Sequence, residues 1–320
     1  MTGTGAALRI VFFGTPSFAV PTLERLLASR HALVGVVTQP DRPRGRGHRV
    51  AESPVKAVAR AHARPVLQPD RLRAPGVLDA LADWTPDLGV VAAYGQLVPG
   101  AMLDLPRLGM INVHASLLPR YRGAAPVHRA VIDGEPETGV TIMRMVPALD
   151  AGPMLARVIR PIGPDETSED VERDLATLGA SLLGAVVERL AAGPVDEEPQ
   201  DDMLSTYAPR LRKDEGPIDW TLPALFIHNR VRGLHPWPLA STSLAGTRLL
   251  VLRTRVEEAT GGDAAPGTVV EVSRAALYVA TGHGGRLAIE SVRPEGRRAM
   301  SVRDFLAGHP VRPGTHLAGP

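Results

Sequence analysis

Polar side chains suited to acting on a carbonyl cluster in MINVHASLLPRYRGAAPVHRA, Met110 to Ala130. Asn112 and His114 alternate along an apolar run, so a strand would carry both on one face. They stand near the end of that run, and open α/β sheets bind ligands outside the carboxyl ends of their strands. A lone histidine there is ordinarily a hydrogen-bonded core residue. An amide on the same face adds a chemical reading: the two groups could stabilise an oxyanion at a carbonyl under attack. A second segment, PALDAGPML, places Asp150 ahead of a Gly-Pro turn. An aspartate there is ordinarily a turn residue. Beside His114 it could instead hold the imidazole protonated and oriented, or help remove a proton. None of the three is a strong nucleophile, which suggests direct transfer through a tetrahedral intermediate. No second histidine is spaced to join His114 on a metal, so no metal is expected. The chain has no cysteine, which excludes disulfides, thiolate metal sites and cysteine nucleophiles.

Positioning these groups requires a sheet. LRIVFF (Leu8 to Phe13), ALVGVVT (Ala32 to Thr38), LGVVAAY (Leu88 to Tyr94) and MINVHA (Met110 to Ala115) are expected strands. They are near-continuously apolar, as strands covered on both faces are. A helical pattern runs through Val20, Leu23, Leu26 and Leu27. Ser53 caps a helix reaching Ala63, with Pro54 at its first position. Val77 to Trp84 is a short helix, and another begins near Ala124. VTIMRMV and MLARVIRPI are less regular strands, and Ser168 to Ala192 is one long helix. This alternation predicts the α/β class, with a doubly wound, Rossmann-like, mostly parallel sheet. GTPSFAV, after the first strand, lacks the GxGxxG spacing. It is an ordinary turn or lines some other ligand pocket, and a dinucleotide oxidoreductase is disfavoured.

The length of 320 residues suits two domains. A Pro- and acid-rich stretch over 191–202 carries GPVDEEPQDD and reads as a linker. Beyond it come a helix around Leu222 to Val231 and short runs near 248–256, 268–272, 276–280 and 287–292. Gly-rich turns separate them, which predicts a small OB-like β-barrel. The expected domains are 1–190 and 206–320, joined by a linker at 191–205. Charge is uneven: 21 basic against 24 acidic residues up to Ser205, and 15 against 10 from Thr206 onward. The basic second half permits a polyanion partner and equally fits a solvated surface. No signal peptide and no run of about 18 uninterrupted apolar residues is found, so neither secretion nor a membrane span is expected. The lack of cysteine fits a cytoplasmic protein.

NVHASLLPRYRGAAPV together with LDAGPM resembles the core of the 10-formyltetrahydrofolate-dependent formyltransferases. FFGTPSFAVPTLERLL, TQPDRPRGRGHRV followed by SPVK, YRGAAPVHRAVIDGEPETGVTIMRM, LRKDEGPIDW and NRVRGLHPWPLA resemble the methionyl-tRNA formyltransferase branch of that superfamily. The similarity runs almost end to end. It implies that Asn112, His114 and Asp150 are the catalytic trio and that Ser116, Leu117, Leu118 and Pro119 line the folate site. The loop Asp41 to Arg49 would clamp the acceptor end of tRNA, with Arg42, Arg44, Gly45 and Arg46 foremost. Arg210, Arg212, Lys213, Arg230, Arg232, Arg253 and Arg255 would add contacts to the tRNA body. The implied partners are 10-formyltetrahydrofolate, without a metal, and methionyl initiator tRNA, bound by a monomer. Ala115 and Tyr121 depart from the residues frequent in that branch and leave the trio intact.

Two rivals remain. A formyltransferase acting on a small amine would share the core, but the second domain, the arginine-rich loop and the HPWP segment favour the tRNA branch. A noncatalytic tRNA-binding protein on the same fold is disfavoured by the intact trio.

Overall fold

The apolar runs of the first half become strands of one sheet. The computed structural model describes residues 5–44, 49–258 and 263–319, without the side chains of residues 43, 44, 49 and 50. In chain order the elements are β1 (Arg9–Gly14), α1 (Val20–Leu27), β2 (Ala32–Val37), β3 (Arg42–Arg44), β4 (Arg49–Ala51), α2 (Pro54–Ala61) and β5 (Val66–Leu67). Then come α3 (Val77–Ala82), β6 (Leu88–Ala92), α4 (Gly100–Leu103), β7 (Met110–His114), β8 (Arg122–Gly123) and α5 (Pro126–Ile132). The half ends with β9 (Glu137–Arg144), β10 (Met154–Pro161), α6 (Ser168–Ala192) and β11 (Tyr207–Ala208).

The chain divides into two compact units. The first comprises Met1–Pro126, Glu137–Arg160 and Glu172–Ala208. The second comprises Val127–Pro136, Pro161–Val171 and Pro209–Pro320.

The first unit is built on a seven-stranded sheet of order β10-β9-β7-β6-β1-β2-β5. Strands β5, β2, β1, β6 and β7 run parallel, and β9 lies antiparallel to β7. The sheet is thus mostly parallel, as the apolar runs predict, with an antiparallel strand toward one edge. Strand order reverses between β1 and β6, where Gly14 pairs with Ala92. Val91, one residue earlier, pairs with Asn112 of β7. The carboxyl ends of β1, β6 and β7 therefore lie level, which is where such sheets hold ligands. All five residues of β6 are buried, as a strand covered on both faces requires.

Helix α6 has the length and hydropathy of a membrane span, and half of it is buried in the protein. Leu175, Leu183, Val186, Val187 and Leu190 recur at helical spacing and are all buried. A Cβ at Gly179 would meet Val113 Cγ1 at 2.9 Å, so this glycine lets the helix lie close on β7. Ser53 caps α2 as expected, its Oγ accepting from Lys56 N at 3.1 Å.

His31 is a buried titratable group beside this sheet. Its Nδ1 accepts from Leu8 N at 3.0 Å, and its Nε2 lies 3.2 Å from Glu188 Oε1. Burial lowers the His31 pKa; the Glu188 charge opposes that shift and Arg30 adds to it. The unfolded chain takes up a proton as pH falls through about 6.5, and the folded chain resists doing so until lower pH. Stability from this site is therefore complete above that value and declines as pH falls toward the folded pKa. Unfolding midpoints measured between pH 7.5 and 5.5 should drop less steeply in His31→Asn than in the parent. Equal slopes would remove His31 as a cause.

The second unit contains α7 (Ala224–Gly233), β12 (Ala240–Leu244), β13 (Thr247–Glu257), β14 (Val269–Val272), β15 (Leu277–Ala280), β16 (Arg286–Pro294), β17 (Met300–Ser301), α8 (Val302–Gly308) and β18 (Leu317–Ala318). Its sheet has order β14-β15-β16-β13-β12-β18, with β17 beside β16. Val269 N donates to Thr315 O and Leu317 N to Gly267 O, which brings the two edges together in a curled, OB-like sheet. Trp220, Ile227, Val251, Leu277, Ile289 and Phe305 fill its interior. Trp220 Nε1 donates to Thr242 Oγ1, so the buried indole is satisfied.

One sequence expectation fails in this unit. Arg232 is 7% exposed and donates to Asn229 Oδ1, Gly163 O and Glu166 O. It pins a turn and is not a surface charge for RNA. Arg212, Arg253 and Arg255 are exposed but already face Asp214, Glu257 or Glu290.

Candidate active site

Strand β7 carries Asn112 and His114 at its carboxyl end, two residues apart and so on one face. His114 is 5% exposed, whereas Asn112 is only partly buried. Among the described residues the Asn112 amide makes no protein hydrogen bond. A half-exposed amide beside a buried imidazole leaves two donors for a ligand at the strand end.

The imidazole is fixed from both sides. Its Nε2 lies 2.9 Å from Tyr121 O, and a carbonyl can only accept, so Nε2 carries a proton. Its Nδ1 faces Asp150 Oδ2 at 3.8 Å, beyond direct hydrogen-bond reach. A cationic His114 would have both N–H groups opposite acceptors. Asp150 follows β9 on a loop, with φ at 47° in the left-handed region. Its Oδ2 accepts from Gly123 N at 2.9 Å. The structure thus brings His114 and Asp150 together, as the sequence reading expected, with Asn112 on the same strand.

Ser116 to Pro119 form the loop after β7. Ser116 is buried, and its Oγ donates to Arg120 O at 2.7 Å. Thr141 Oγ1 donates to Ser116 O and accepts from Leu118 N, tying the loop to β9. Leu118 is buried against Met143 and Met154, and the Leu118–Pro119 bond is cis. Only Leu117 and Pro119 of this run keep partial exposure. A polar network closes the neighbouring strand ends. Thr15 Oγ1 and Gln39 Nε2 both donate to Tyr94 O. Lys56 pairs with Asp41 and, with Gln68, holds its carboxyl below the usual range. This network anchors the base of the β3–β4 hairpin. Arg42 there is exposed. Gly45 and Arg46 lie outside the described residues, as does the Arg44 side chain.

The residues that hold this pair in place carry little signal in the sequence. Gly123 adopts φ 122°, and a Cβ there would stand 2.7 Å from Ala208 O. Only glycine combines that backbone with the Asp150 contact. The Gly-Ala-Ala turn was the available signal. Gly123→Ala should cost about 1–3 kcal/mol of stability and depress whatever activity depends on Asp150. A variant with parental thermal midpoint and parental rate would overturn this.

Comparison with known proteins agrees with the geometry. The formyl transferase family model matches residues 8–187, and the formyl transferase C-terminal domain model matches residues 210–310. A methionyl-tRNA formyltransferase of Pelobacter propionicus is 49% identical over 97% of this chain and 96% of its own length. One from Trichlorobacter lovleyi is 47% identical over the same shares. Among solved structures, a sugar 3N-formyl transferase determined in the presence of dTDP and 5-N-formyl-THF superposes with a TM-score of 0.67 at 15% identity, covering 92% of this chain and 100% of that one. That likeness bears on the fold alone.

Proposed function

We infer the reaction from ancestry and site together: this chain belongs to the formyl transferase family and, within it, to the methionyl-tRNA formyltransferases. It formylates the α-amino group of methionine carried on initiator tRNA, drawing the formyl group from a folate cosubstrate. The donor in this reading is 10-formyltetrahydrofolate, which supplies an activated one-carbon carbonyl. The enzyme acts as a cytoplasmic monomer. Asn112 and His114 supply the carbonyl activation that a metal would otherwise give, so the reading uses none.

The residues divide the work as follows. The Asn112 amide and the His114 ring act as donors to the carbonyl oxygen while negative charge gathers there. Nε2–H is committed to Tyr121 O, so Nδ1 is the ring nitrogen left to face the reacting groups. Asp150 stands 3.8 Å from Nδ1, far enough to leave that nitrogen uncommitted and near enough to balance a cationic ring. It is also the group best placed to take the proton released by the attacking amine, through one water, and to return it to the folate nitrogen as the bond from the formyl carbon to that nitrogen breaks and tetrahydrofolate leaves. Leu117 and Pro119 offer the apolar surface of the folate-binding loop, and Ser116 and Leu118 fix its shape from within. The fit rests on one observation: a partly exposed amide with no protein hydrogen bond among the described residues, two residues before a buried His114 that faces Asp150, at the carboxyl end of the strand beside the switch point.

The test is formyl transfer from 10-formyltetrahydrofolate to methionyl initiator tRNA, with glycinamide ribonucleotide and free methionine as competing acceptors. Transfer to the charged tRNA alone is expected. Transfer only to a small amine would overturn the tRNA assignment and keep the core chemistry.

A further inference from the structure

The segment after α6 crosses behind the site as a strap. Met154 and Glu198 exchange both backbone hydrogen bonds, at 2.7 and 2.8 Å. Gln200 Nε2 donates to Asp150 O at 2.8 Å and to Gly152 O at 2.7 Å. Its Oε1 accepts from Arg122 Nε and Nη2 at 3.0 and 2.8 Å. Six residues on, Thr206 Oγ1 accepts from Tyr121 N at 2.8 Å, and Thr206 O accepts from Arg122 N at 2.9 Å. β11 then pairs with β8, Tyr207 opposite Arg122 and Ala208 opposite Gly123.

We propose that Gln200 and Thr206 are positioning residues for the formyl-transfer site. Gln200 binds the Asp150 backbone directly, and Thr206 reaches His114 through Tyr121. Gln200 holds the Asp150 backbone in its left-handed conformation, a state that costs a non-glycine residue free energy and persists only when surroundings impose it. Both amide hydrogens of Gln200 are spent on that one turn. Thr206 holds Tyr121, itself at φ 60°, whose carbonyl fixes the His114 ring. Arg122 joins the two anchors, because its side chain binds Gln200 and its backbone binds Thr206. The 3.8 Å spacing between His114 and Asp150 is therefore set from the strap and not by a direct bond between them. A site governed by spacing loses rate when the spacing drifts, and about 1 Å of misplacement can cost roughly a hundredfold.

The inference rests on the roles proposed above for His114 and Asp150, and the experiment separates the two. Gln200→Met removes the anchor with little change of volume, and Gln200→Glu keeps the Arg122 contact but loses both donors. Both should lower kcat by about tenfold to a hundredfold, with KM for folate and tRNA within about threefold of the parent. Thr206→Val should act in the same direction, and Thr206→Ser, which keeps the oxygen, should restore kcat to within about threefold. That pair decides the matter if Gln200 variants fold poorly. Asp150→Ala is measured alongside. Parental kcat in Gln200→Met and Thr206→Val with Asp150→Ala inactive would overturn the strap's role alone. An active Asp150→Ala would remove the trio reading and this inference with it. A kcat loss that only tracks a lower thermal midpoint, or that Thr206→Ser fails to rescue, would also overturn it.

Discussion

Replacement of Asn112 or His114 by alanine is expected to lower kcat for formyl transfer by about 10²–10³-fold or more, without unfolding the protein. Removing one preorganised donor from an oxyanion site costs about 10²–10³ in rate, and losing a positioned acid–base group about 10²–10⁴. Asn112 is partly exposed and bonds no protein group among the described residues, so its truncation leaves no buried partner behind. Its thermal midpoint should stay near the parent's. His114 is buried, and its loss frees Tyr121 O, so some stability should go with the rate. Asp150→Asn is the more telling change. The amide retains an oxygen for Gly123 N but removes the charge facing Nδ1, so it separates loop geometry from electrostatics. If charge matters, Asp150→Asn should approach Asp150→Ala in kcat. The double variant His114→Ala/Asp150→Ala should be little slower than either single change, because groups acting as a unit are not additive. Steady-state rates with saturating folate and charged tRNA measure all five variants. Undiminished kcat in any member of the trio would take that residue out of the chemistry.

The parts of the molecule legible in its sequence are those with periodic or paired signals. An apolar run and a 3.6-residue repeat each mark their own limits, so the expected bounds of strand β7 and helix α6 agree with the structure within a residue. The Ser53 cap was visible because Ser-Pro names both the cap and the first turn. Asn112 and His114 could be paired from spacing alone. Only the resemblance joins Asp150 to them, since 35 residues, with β8, α5 and β9 among them, lie between His114 and Asp150.

What stayed hidden is held by tertiary contacts. β12, Ala-Ser-Thr-Ser-Leu, has no apolar alternation, yet it pairs with both β13 and β18. Its strand state comes from its neighbours and not from propensity. β18 is only two residues long, too short to announce itself. The acidic, proline-bearing stretch before Ser205 looks like a connection by composition. It nevertheless makes the backbone pairing at Glu198 and the Gln200 anchor, both long-range contacts with no period to read. Arg232 shows the converse: a basic residue counted as surface charge is folded inward to satisfy carbonyls.

The second large effect expected concerns the arginine-rich loop. Replacing Arg42, Arg44 and Arg46 together with alanine should weaken binding of methionyl initiator tRNA by about tenfold to a hundredfold near physiological salt. The reason is counterion release: each phosphate neutralised adds about 0.7–0.9 to the slope of log affinity against log salt. Three lost contacts should therefore flatten that slope by about two. The base of the loop is tied down independently of these side chains, since Asp41 is bound by Lys56 and Gln68. The substitutions thus test charge on a hairpin whose footing is retained. Up to Ser205 the sequence carries 21 basic against 24 acidic residues and so no net basic excess, and a cluster of arginines there must act locally. The KM for folate and the kcat at saturating tRNA should remain within about threefold of the parent. Filter binding across a salt series measures the slope directly. An unchanged slope with unchanged affinity would show that this loop is a solvated surface and leave tRNA recognition to other residues. A lower kcat at saturating tRNA would instead mean that the loop presents the methionyl end to the trio.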